Sequence, residues 1–351
     1  MEELYNQMFA DLEDGISIFK AALASGADVS TLADFDYVYG GNFTKWVKYA
    51  NTLKLRMAMR IVNVAPALSK EKAEEAVNDS YGVMAEAGDA AFSSFNDGMN
   101  PFYRAAYTWN GGEFRASANI TSYLGGYKDP RLTIYVKESE ENGYVGVRNG
   151  ISQTASSFAS YQKLSNVNVG EGDKLLVMSA AEAYFLRAEG ALRGWNMGGT
   201  AKELYETGIA VSMAEKGASV GDYLSSKAVP EAYTDPVNSK YNVVAASTIC
   251  PAYDEMADFE VNLERIMVQK WIASYPSGWE TWADIRRTGY PKLFPVGNNL
   301  SGGVVNTDRG MRRLPYPQSE YNTNLTNVNA AVGMLGGADN AGTDLWWAKK
   351  N

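Results

Sequence analysis

Residues 179–217 read SAAEAYFLRAEGALRGWNMGGTAKELYETGIAVSMAEKG, and this segment carries two helix-start signals. Ser179 and Thr200 each stand three residues before a glutamate, which is the spacing of a capping box. In that motif the hydroxyl accepts from a backbone N–H of the first turn, and the glutamate accepts from the N–H of the cap residue. Gly194 and Gly217 follow the two apolar runs and offer left-handed stops. The segment therefore predicts two antiparallel helices joined by a short turn.

The second of these helices has a repeat-like pattern. Ala201, Tyr205 and Gly208 match the small, aromatic, small spacing of the second helix of a tetratricopeptide repeat, where small residues let two helices approach around one ring. Similar apolar periodicity predicts a helix from the first residues onward and helices at residues 43–63, 69–86, 261–275 and 279–287. The sequence therefore predicts a mainly α fold with tetratricopeptide-like helical pairs near residues 1–86, 178–217 and 261–288.

Three long polar segments separate the predicted helical pairs. They are rich in Gly, Asn, Ser and Tyr, and they cover residues 88–174, 218–258 and 289–345. Loops of this length inside a compact chain usually serve a function. Within the first segment, residues 131–137 and 143–148 are predicted to pair as short strands across the turn at 138–142. We therefore expect a single domain over residues 1–351, with an irregular loop-rich lobe and a few short strands.

Charge balance and two rare residue types exclude several classes of protein. The 351 residues include 41 acidic and 32 basic side chains, and the formal net charge of −9 argues against nucleic acid as a partner. The sequence has no histidine and one cysteine, Cys250, which excludes Ser-His-Asp and Cys-His catalysis, histidine metal sites, thiolate clusters and internal disulfides. No glycine-rich string carries a phosphate-loop lysine. The sequence therefore predicts no catalytic residue, no metal site and no cofactor.

Five segments, in this order along the chain, resemble one known family. They are residues 45–60 (KWVKYANTLKLRMAMR), 128–132 (KDPRL), 264–273 (ERIMVQKWIA), 280–291 (ETWADIRRTGYP) and 312–317 (RRLPYP) with Glu320 and Asn324. Together they extend over most of residues 40–347. In order and spacing they resemble the SusD/RagB family, the SusD-like glycan-binding lipoproteins of Bacteroidetes-type systems for nutrient uptake and polysaccharide utilisation.

The resemblance implies a fold of four tetratricopeptide-like helical pairs that hold a loop-rich lobe. It implies a protein that binds an oligosaccharide or other glycan without cutting it and passes it to a SusC-like TonB-dependent transporter, which the protein covers like a lid. It also implies a place at the extracellular face of the outer membrane, held by a lipid anchor. The lipoprotein signal, the acylated cysteine and the first helical repeat of the family are not visible in this sequence. We therefore expect an N-terminally truncated form.

The charged residues of the family-like helices have a structural interpretation. Arg56, Arg60, Arg286 and Arg287 lie on apolar helices, where a guanidinium typically pairs with a carboxylate or binds backbone carbonyls. Asp129 precedes a proline and is expected to cap a turn. We predict that none of these side chains contacts the ligand.

Loop composition indicates the ligand-binding side chains. Residues 92–115 are dense in aromatic rings and planar hydrogen-bonding groups. A ring covers the apolar C–H face of a pyranose, while Asn, Asp and Arg bind its hydroxyls. Trp109 is the leading candidate, because a large ring beside the permissive Gly111 and Gly112 tends to be exposed. The predicted contacts are Asp97, Asn100, Phe102, Tyr103, Tyr107, Trp109, Asn110, Arg115, Tyr161, Tyr241 and Tyr253. In the competing interpretation these rings close the core of the lobe.

Two other functions stay open at this point. A peptide- or protein-interaction module on the same scaffold would use the groove that helical repeats usually present. A glycoside hydrolase would need two carboxylates facing each other across the scissile bond. Glu113, Asp173 and Asp97 are the candidates for that role, and their spacing singles out no pair.

Overall fold

The computed structural model describes residues 1–95 and 98–348, and within these residues the fold is mainly helical, as predicted. The helices in chain order are α1 (Glu2–Ser25), α2 (Phe43–Arg60), α3 (Pro66–Val77), α4 (Pro101–Tyr103), α5 (Ala118–Tyr127), α6 (Leu132–Tyr135), α7 (Ala155–Tyr161), α8 (Ala180–Leu192), α9 (Ala201–Glu215), α10 (Phe259–Ser274), α11 (Gly278–Thr288), α12 (Gln318–Thr323) and α13 (Leu325–Leu335). The longer helices form the scaffold, and the short ones lie in the segments predicted to be loops.

Helices α8 and α9 form the predicted pair. The capping box of α9 is present, because the Glu203 N–H donates to the Thr200 hydroxyl (3.2 Å) and the Thr200 N–H donates to the Glu203 carboxylate (2.9 Å). Gly208 of α9 lies against the Phe185 ring of α8, and a Cβ at Gly208 would be 2.9 Å from that ring. The small residue therefore allows the close approach that the repeat-like spacing predicts.

The capping box predicted at Ser179 is wrong in its second half. The Ser179 hydroxyl does accept from the Ala181 N–H (3.1 Å), and it donates to the Glu215 carboxylate at the end of α9 (2.8 Å). The Glu182 side chain, however, is buried and accepts two hydrogen bonds from Arg56 (2.8 and 2.6 Å). A half-buried guanidinium costs more to leave unpaired than a helix end, so the tertiary contact takes the glutamate.

The remaining scaffold helices pack around α8. Helix α2 contacts α1, α3 and α8, while α10 contacts α8, α9 and α11. The core between them includes the fully buried side chains of Leu55, Met59, Phe185, Ile266 and Ile272. This packing places the start of α11 next to the loop segments.

Helix α3 is shorter than predicted. It ends at Val77, whereas the apolar periodicity predicted a helix to residue 86. The Asp79 carboxylate accepts from the Tyr81 N–H (2.9 Å), and Gly82 has a left-handed φ of 68°. These two features turn the chain away from the helix axis.

The structural interpretation of the charged helix residues is confirmed. Each guanidinium has a protein partner: Arg56 pairs with Glu182, Arg60 with Glu280, Arg287 with Glu189, and Arg286 donates to the backbone carbonyls of Trp282 and Arg312. Asp129 accepts from the Arg131 N–H (2.9 Å) and caps the turn before α6. These side chains hold elements of the fold together.

Four short strands form two antiparallel pairs. Strand β1 (Ala91–Ser93) pairs with β4 (Leu175–Met178), and β2 (Val136–Lys137) pairs with β3 (Asn166–Val167). The predicted pairing of residues 131–137 with 143–148 is wrong. Most of the first segment is the helical turn α6, which the Asp129 cap starts, and Val147 bridges to Ser117 instead.

Tyrosine hydroxyls tie the segments of the loop-rich lobe to one another. Tyr123 donates to the carbonyl of Lys292 (2.7 Å), and Tyr127 donates to that of Ile249 (2.9 Å). Both rings are buried, so each phenol serves as an apolar filler with one polar end. None of the helices in the described part of the chain has both the length and the apolar character that a bilayer crossing requires.

Candidate ligand-binding site

A cleft of about 1010 Å³ opens where the loop segments meet the end of α10 and the start of α11. Residues within 113–120, 147–167, 243–246, 271–296 and 307–310 contribute to its lining. The volume lies at the upper end of the range found for small-molecule sites, so it has room for several sugar units.

Tryptophan rings form the helical wall of this cleft. The Trp282 indole N–H donates to the Met311 carbonyl (3.0 Å), and the Arg286 guanidinium lies 3.6 Å from the centre of the Trp282 ring. Trp279, which is 74% exposed and does not line the cleft itself, lies 5.9 Å from Trp282 between ring centres. Because positions three apart share a helix face, the first turn of α11 presents both rings together. Trp271 of α10 also lines the cleft.

Two phenylalanines line the cleft from the loop side. Phe114 is 53% exposed and Phe158 is 36% exposed. Next to Phe114, the Arg115 guanidinium donates to the carbonyls of Gly112 (2.5 Å) and Gln162 (2.9 Å). Burial lowers the pKa of Arg115. Through its hydrogen bonds to the two carbonyls, Arg115 holds the loop backbone in place and so fixes the position of the adjacent Phe114 ring.

Planar amides stand beside these rings. Asn149, Gln153 and Gln162 all line the cleft. The side-chain Oδ1 atom of Asn149 accepts from the Ser117 hydroxyl (2.7 Å), and the side-chain amide of Gln162 donates to the backbone carbonyl of Glu113 (3.2 Å). These contacts hold the two amides while leaving each with further hydrogen-bonding capacity. Exposed rings with oriented neutral polar groups suit a ligand that has both apolar faces and hydroxyls.

Trp109 lies on a tight turn just before the segment that contains Phe114. Residues 110–112 have positive φ angles of 47°, 76° and 83°. At Gly112 a Cβ would lie 2.8 Å from the Ala106 carbonyl oxygen, so this position requires glycine. The turn leaves the Trp109 ring 59% exposed and leads directly into the Phe114 segment. The ring is therefore exposed, as predicted, at a position close in sequence to the cleft lining.

The structure brings only some of the predicted residues to the cleft. Phe102, Arg115 and Tyr161 line it. Asn100 lines a second cavity, where its side chain also caps the α4 turn by accepting from the Phe102 N–H (2.8 Å). Trp109 and Asn110 occupy the turn described above. Asp97 lies outside the described residues.

The predicted tyrosines make contacts within the protein. The Tyr107 hydroxyl donates to the Val167 carbonyl, and its ring lies 5.0 Å from that of Tyr103. Tyr241 is 3% exposed, while the Tyr253 ring packs 5.3 Å from that of Tyr205. These positions agree with the interpretation in which the rings close the lobe. Tyr161 combines both settings, because its hydroxyl also donates to the Asp235 carboxylate (3.1 Å).

Sequence reasoning missed most of the rings that line the cleft. Phe114 falls inside the segment 92–115, but no feature distinguishes it from its neighbours. Phe158 lies in a serine-rich stretch, three residues before Tyr161. Trp271 and Trp282 belong to segments interpreted as structural helices. The available signal was Trp279 with Trp282, a pair spaced by three residues immediately after the Pro276 turn.

The described carboxylates that were candidates for glycosidase chemistry do not share a cavity. Glu113 lines the cleft, whereas Asp173 lines the second cavity. Within residues 1–95 and 98–348, no group of three His, Cys, Asp or Glu side chains is arranged to hold a metal ion. The arrangement supports binding through stacking and hydrogen bonds.

Comparison with protein families gives one match over nearly the whole chain. The model of SusD-like proteins, the SusD and RagB outer membrane lipoproteins, matches residues 1–348. The chain belongs to the SusD/RagB family. Members of this family are binding proteins and not catalysts, which confirms the prediction that the protein is not an enzyme. Its family also places it among the outer membrane lipoproteins, as the resemblance implied.

Solved structures of SusD homologs superimpose closely on this SusD-like chain. A chitin-binding SusD homolog from Flavobacterium johnsoniae is 43% identical, with a TM-score of 0.94, and the match covers 100% of this chain and 73% of that one. A SusD homolog from Bacteroides uniformis is 43% identical (TM-score 0.92; 99% and 73% covered). A SusD-like protein from Bacteroides thetaiotaomicron is 42% identical (TM-score 0.93; 100% and 73% covered). A search of curated proteins found no match.

Proposed function

We propose that this SusD-like protein captures oligosaccharides in the cleft and passes them to a SusC-like TonB-dependent transporter. The observation that carries the proposal is the exposure of Phe114 and Phe158, at 53% and 36%, in a cleft that also contains Trp282 and three planar amides. Rings that served only to close the lobe would be buried. A pyranose can stack its C–H face on such rings while its hydroxyls bond to the amides.

Chitin oligosaccharides are the glycans that we propose first. The Flavobacterium johnsoniae homolog, described as chitin-binding, shares 43% identity over the whole chain. In a β-linked N-acetylglucosamine chain, the acetamido methyl suits an apolar lining, and the acetamido N–H and carbonyl suit amides such as Asn149 and Gln162. The ligand is neutral, so the net charge of −9 does not oppose its binding.

Delivery of an oligosaccharide to a transporter is compatible with modest affinity of the open cleft for that oligosaccharide. Stacking and neutral hydrogen bonds at a solvent-accessible surface compete with water, so each contributes little net free energy. The ligand can then leave when the lid opens, and the transporter supplies the energy for uptake. Family membership supports this partner, and the scaffold helices offer a surface that is separate from the cleft.

Isothermal titration calorimetry with chitotetraose tests the glycan proposal. Against the wild type, we expect Phe114→Ala combined with Phe158→Ala to weaken binding about tenfold, since an aromatic contact contributes roughly 0.5–1.5 kcal/mol. Phe35→Ala is the matched control, because that ring is 77% exposed and does not line the cleft. Its affinity should equal that of the wild type.

Three outcomes would count against parts of this proposal. Equal affinities in the wild type and the double variant, with a loss in Trp109→Ala, would move the site to the Trp109 turn. Binding of peptides but of no oligosaccharide in an array would favour the peptide-interaction alternative. For the partner, the double variant should still co-purify with the transporter from native membranes. A simultaneous loss of both interactions would contradict separate surfaces.

A further inference from the structure

A second cavity of about 600 Å³ adjoins the cleft. Phe102, Val167, Tyr275 and Pro276 line both cavities, so the two cavities meet at these residues. The outer part of the second cavity is built from β4, the end of α9 and the segment around Asn168. A ligand that extends along the cleft can therefore place a neighbouring group in this cavity.

The cavity contains a lysine whose ammonium group has an unusual setting. The Nζ atom of Lys216, which directly follows α9, lies 5.4 Å from the centre of the Phe92 ring and 5.5 Å from that of the Tyr135 ring. Both rings also line the cavity. Within the described residues the Lys216 ammonium forms no ion pair, because no carboxylate oxygen lies within 4.0 Å of its Nζ atom. The cation is thus bordered by π faces and by the open space of the cavity.

Other lysines with partly or fully buried side chains are satisfied differently. Lys20 pairs with Asp79, Lys48 with Asp89, Lys54 with Glu75, Lys72 with Glu13, and Lys270 with Asp284, whereas Lys45 donates to the Gly88 carbonyl (2.6 Å). Burial lowers the pKa of Lys216, and the charge of the neighbouring Glu215 opposes that shift only in part. Two ring faces offset part of that cost.

The carboxylates that line the cavity already have donors. Glu215 accepts from the Ser179 hydroxyl (2.8 Å) and from the Ala181 N–H (3.1 Å), which ties it to the start of α8. Asp173 accepts from the Gly170 N–H (2.7 Å). Both acids are held by backbone or hydroxyl donors of the protein, so the charged groups of the cavity that remain for a ligand are the lysines, Lys216 and Lys174.

We propose that the second cavity binds the carboxylate of an acidic sugar, a uronic acid unit of an oligosaccharide that occupies the cleft. This inference rests on the proposed function and extends its ligand class beyond neutral glycans. Phe92 and Tyr135 would border the sugar ring, and the Lys216 ammonium would donate to the carboxylate. Lys174 also lines the cavity and adds positive charge at its outer part.

A matched ligand pair tests the role of the carboxylate. Trigalacturonic acid and its trimethyl ester differ in that methyl esters replace the three carboxylates, and each can be titrated into the wild-type protein by calorimetry. We expect the acid to bind about tenfold more tightly than the ester, a preference that corresponds to about 1.4 kcal/mol. In Lys216→Met the preference should fall below twofold, whereas Lys216→Arg should retain most of it.

Lys227→Met is the matched control for net charge. Lys227 is exposed and lines neither cavity, so its removal changes the charge of the protein without changing the cavity. This variant should keep the tenfold preference. Circular dichroism of each variant shows whether the fold is intact, and Lys216→Arg provides a second reading if Lys216→Met is unstable. The acid should also protect Lys216, and not Lys227, from acetylation, as measured by mass spectrometry.

Each outcome separates this inference from the function on which it rests. Equal binding of acid and ester by the wild type overturns the inference, and chitotetraose binding that persists leaves the proposed function standing. A preference that survives in Lys216→Met, or disappears in Lys227→Met, also overturns the inference. If the wild type binds neither chitotetraose nor the acid, both proposals fail.

Discussion

Arg287 of the helical scaffold and Arg148 of the loop-rich lobe are held in different ways. In the scaffold, Arg287 and Glu189 form a fully buried ion pair with two hydrogen bonds of 2.6 and 2.7 Å. In the lobe, Arg148 donates to the backbone carbonyls of Tyr241 (2.9 Å) and Pro295 (3.1 Å). The scaffold arginine thus joins one helix to another, whereas the lobe arginine satisfies irregular backbone.

The contrast follows from what each region leaves unsatisfied. Helices bond their own backbone groups, so the buried Arg287 guanidinium between two helices meets an opposite charge. Irregular segments leave carbonyls open, and a guanidinium with five donors can bind several of them. In the lobe, such carbonyls hold Arg115 and Arg148, while rings such as Phe114 and amides such as Asn149 remain at the surface. The scaffold helices provide the fixed framework, and the lobe exposes the rings and amides that can bind a ligand.

The largest test of this contrast removes one member of the buried scaffold pair. Arg287→Met leaves the Glu189 carboxylate buried with only the Arg193 contact (2.8 Å), and we expect a loss of roughly 3–5 kcal/mol in the free energy of unfolding. Urea denaturation followed by circular dichroism measures it. Arg309→Met is the control, because Arg309 is 55% exposed in its pair with Asp344 and should cost at most about 1 kcal/mol. If both variants lose similar free energy of unfolding, the buried pair contributes no more to stability than the exposed pair.

Acid provides a second test of the scaffold pair. Burial raises the pKa of Glu189, but the ion pairs with Arg287 and Arg193 outweigh burial and lower it to about 2, from 4.5 in the unfolded chain. The folded pKa is depressed, so the contribution to stability is present above pH 4.5 and is lost as the pH falls toward 2. The carbonyl partners of Arg148 do not titrate and contribute no such slope.

Urea denaturation at several pH values between 6 and 3 measures this dependence. We expect the free energy of unfolding to fall with pH in the wild type and to fall less steeply in Glu189→Gln. Identical slopes would show that this carboxylate is not a source of the acid sensitivity. From pH 6 to 8 the stability should change little, because the sequence has no histidine.

The same division explains which features could be predicted from the sequence. Helix pairs depend on local periodicity and caps, so α9 begins at Thr200 as its motif indicates. Glu182 shows the limit, because a partner far away in sequence, Arg56, takes the side chain that would have closed a cap. The partners of β2 and β4 likewise come from distant segments.

The candidate site was harder to predict because loops and helices assemble it from separate parts of the chain. Phe114, Phe158 and Trp282 are far apart in sequence and meet only in the folded protein. Composition indicated a loop from which Phe102 and Arg115 reach the cleft lining, and Trp109 is exposed as expected. It could not separate Tyr241, which is buried, from Phe158, which is exposed, since both are rings in polar segments.

The smallest expected effect compares one glycine from each region. At Gly208 in the scaffold, an added Cβ would lie 2.9–3.1 Å from atoms of the Phe185 ring, which is fully buried and cannot move away freely. We expect Gly208→Ala to lower the free energy of unfolding by roughly 1–3 kcal/mol through overpacking. In the lobe, a Cβ at Gly172 would meet nothing within 4 Å.

Gly172→Ala should therefore be neutral or stabilise the protein by up to about 1 kcal/mol, because it reduces the freedom of the unfolded chain. Urea denaturation of the two variants beside the wild type gives the comparison directly. If Gly208→Ala is as well tolerated as Gly172→Ala, then α8 and α9 can move apart without cost. In that case the close contact between Gly208 and Phe185 would not be needed for the stability of the scaffold.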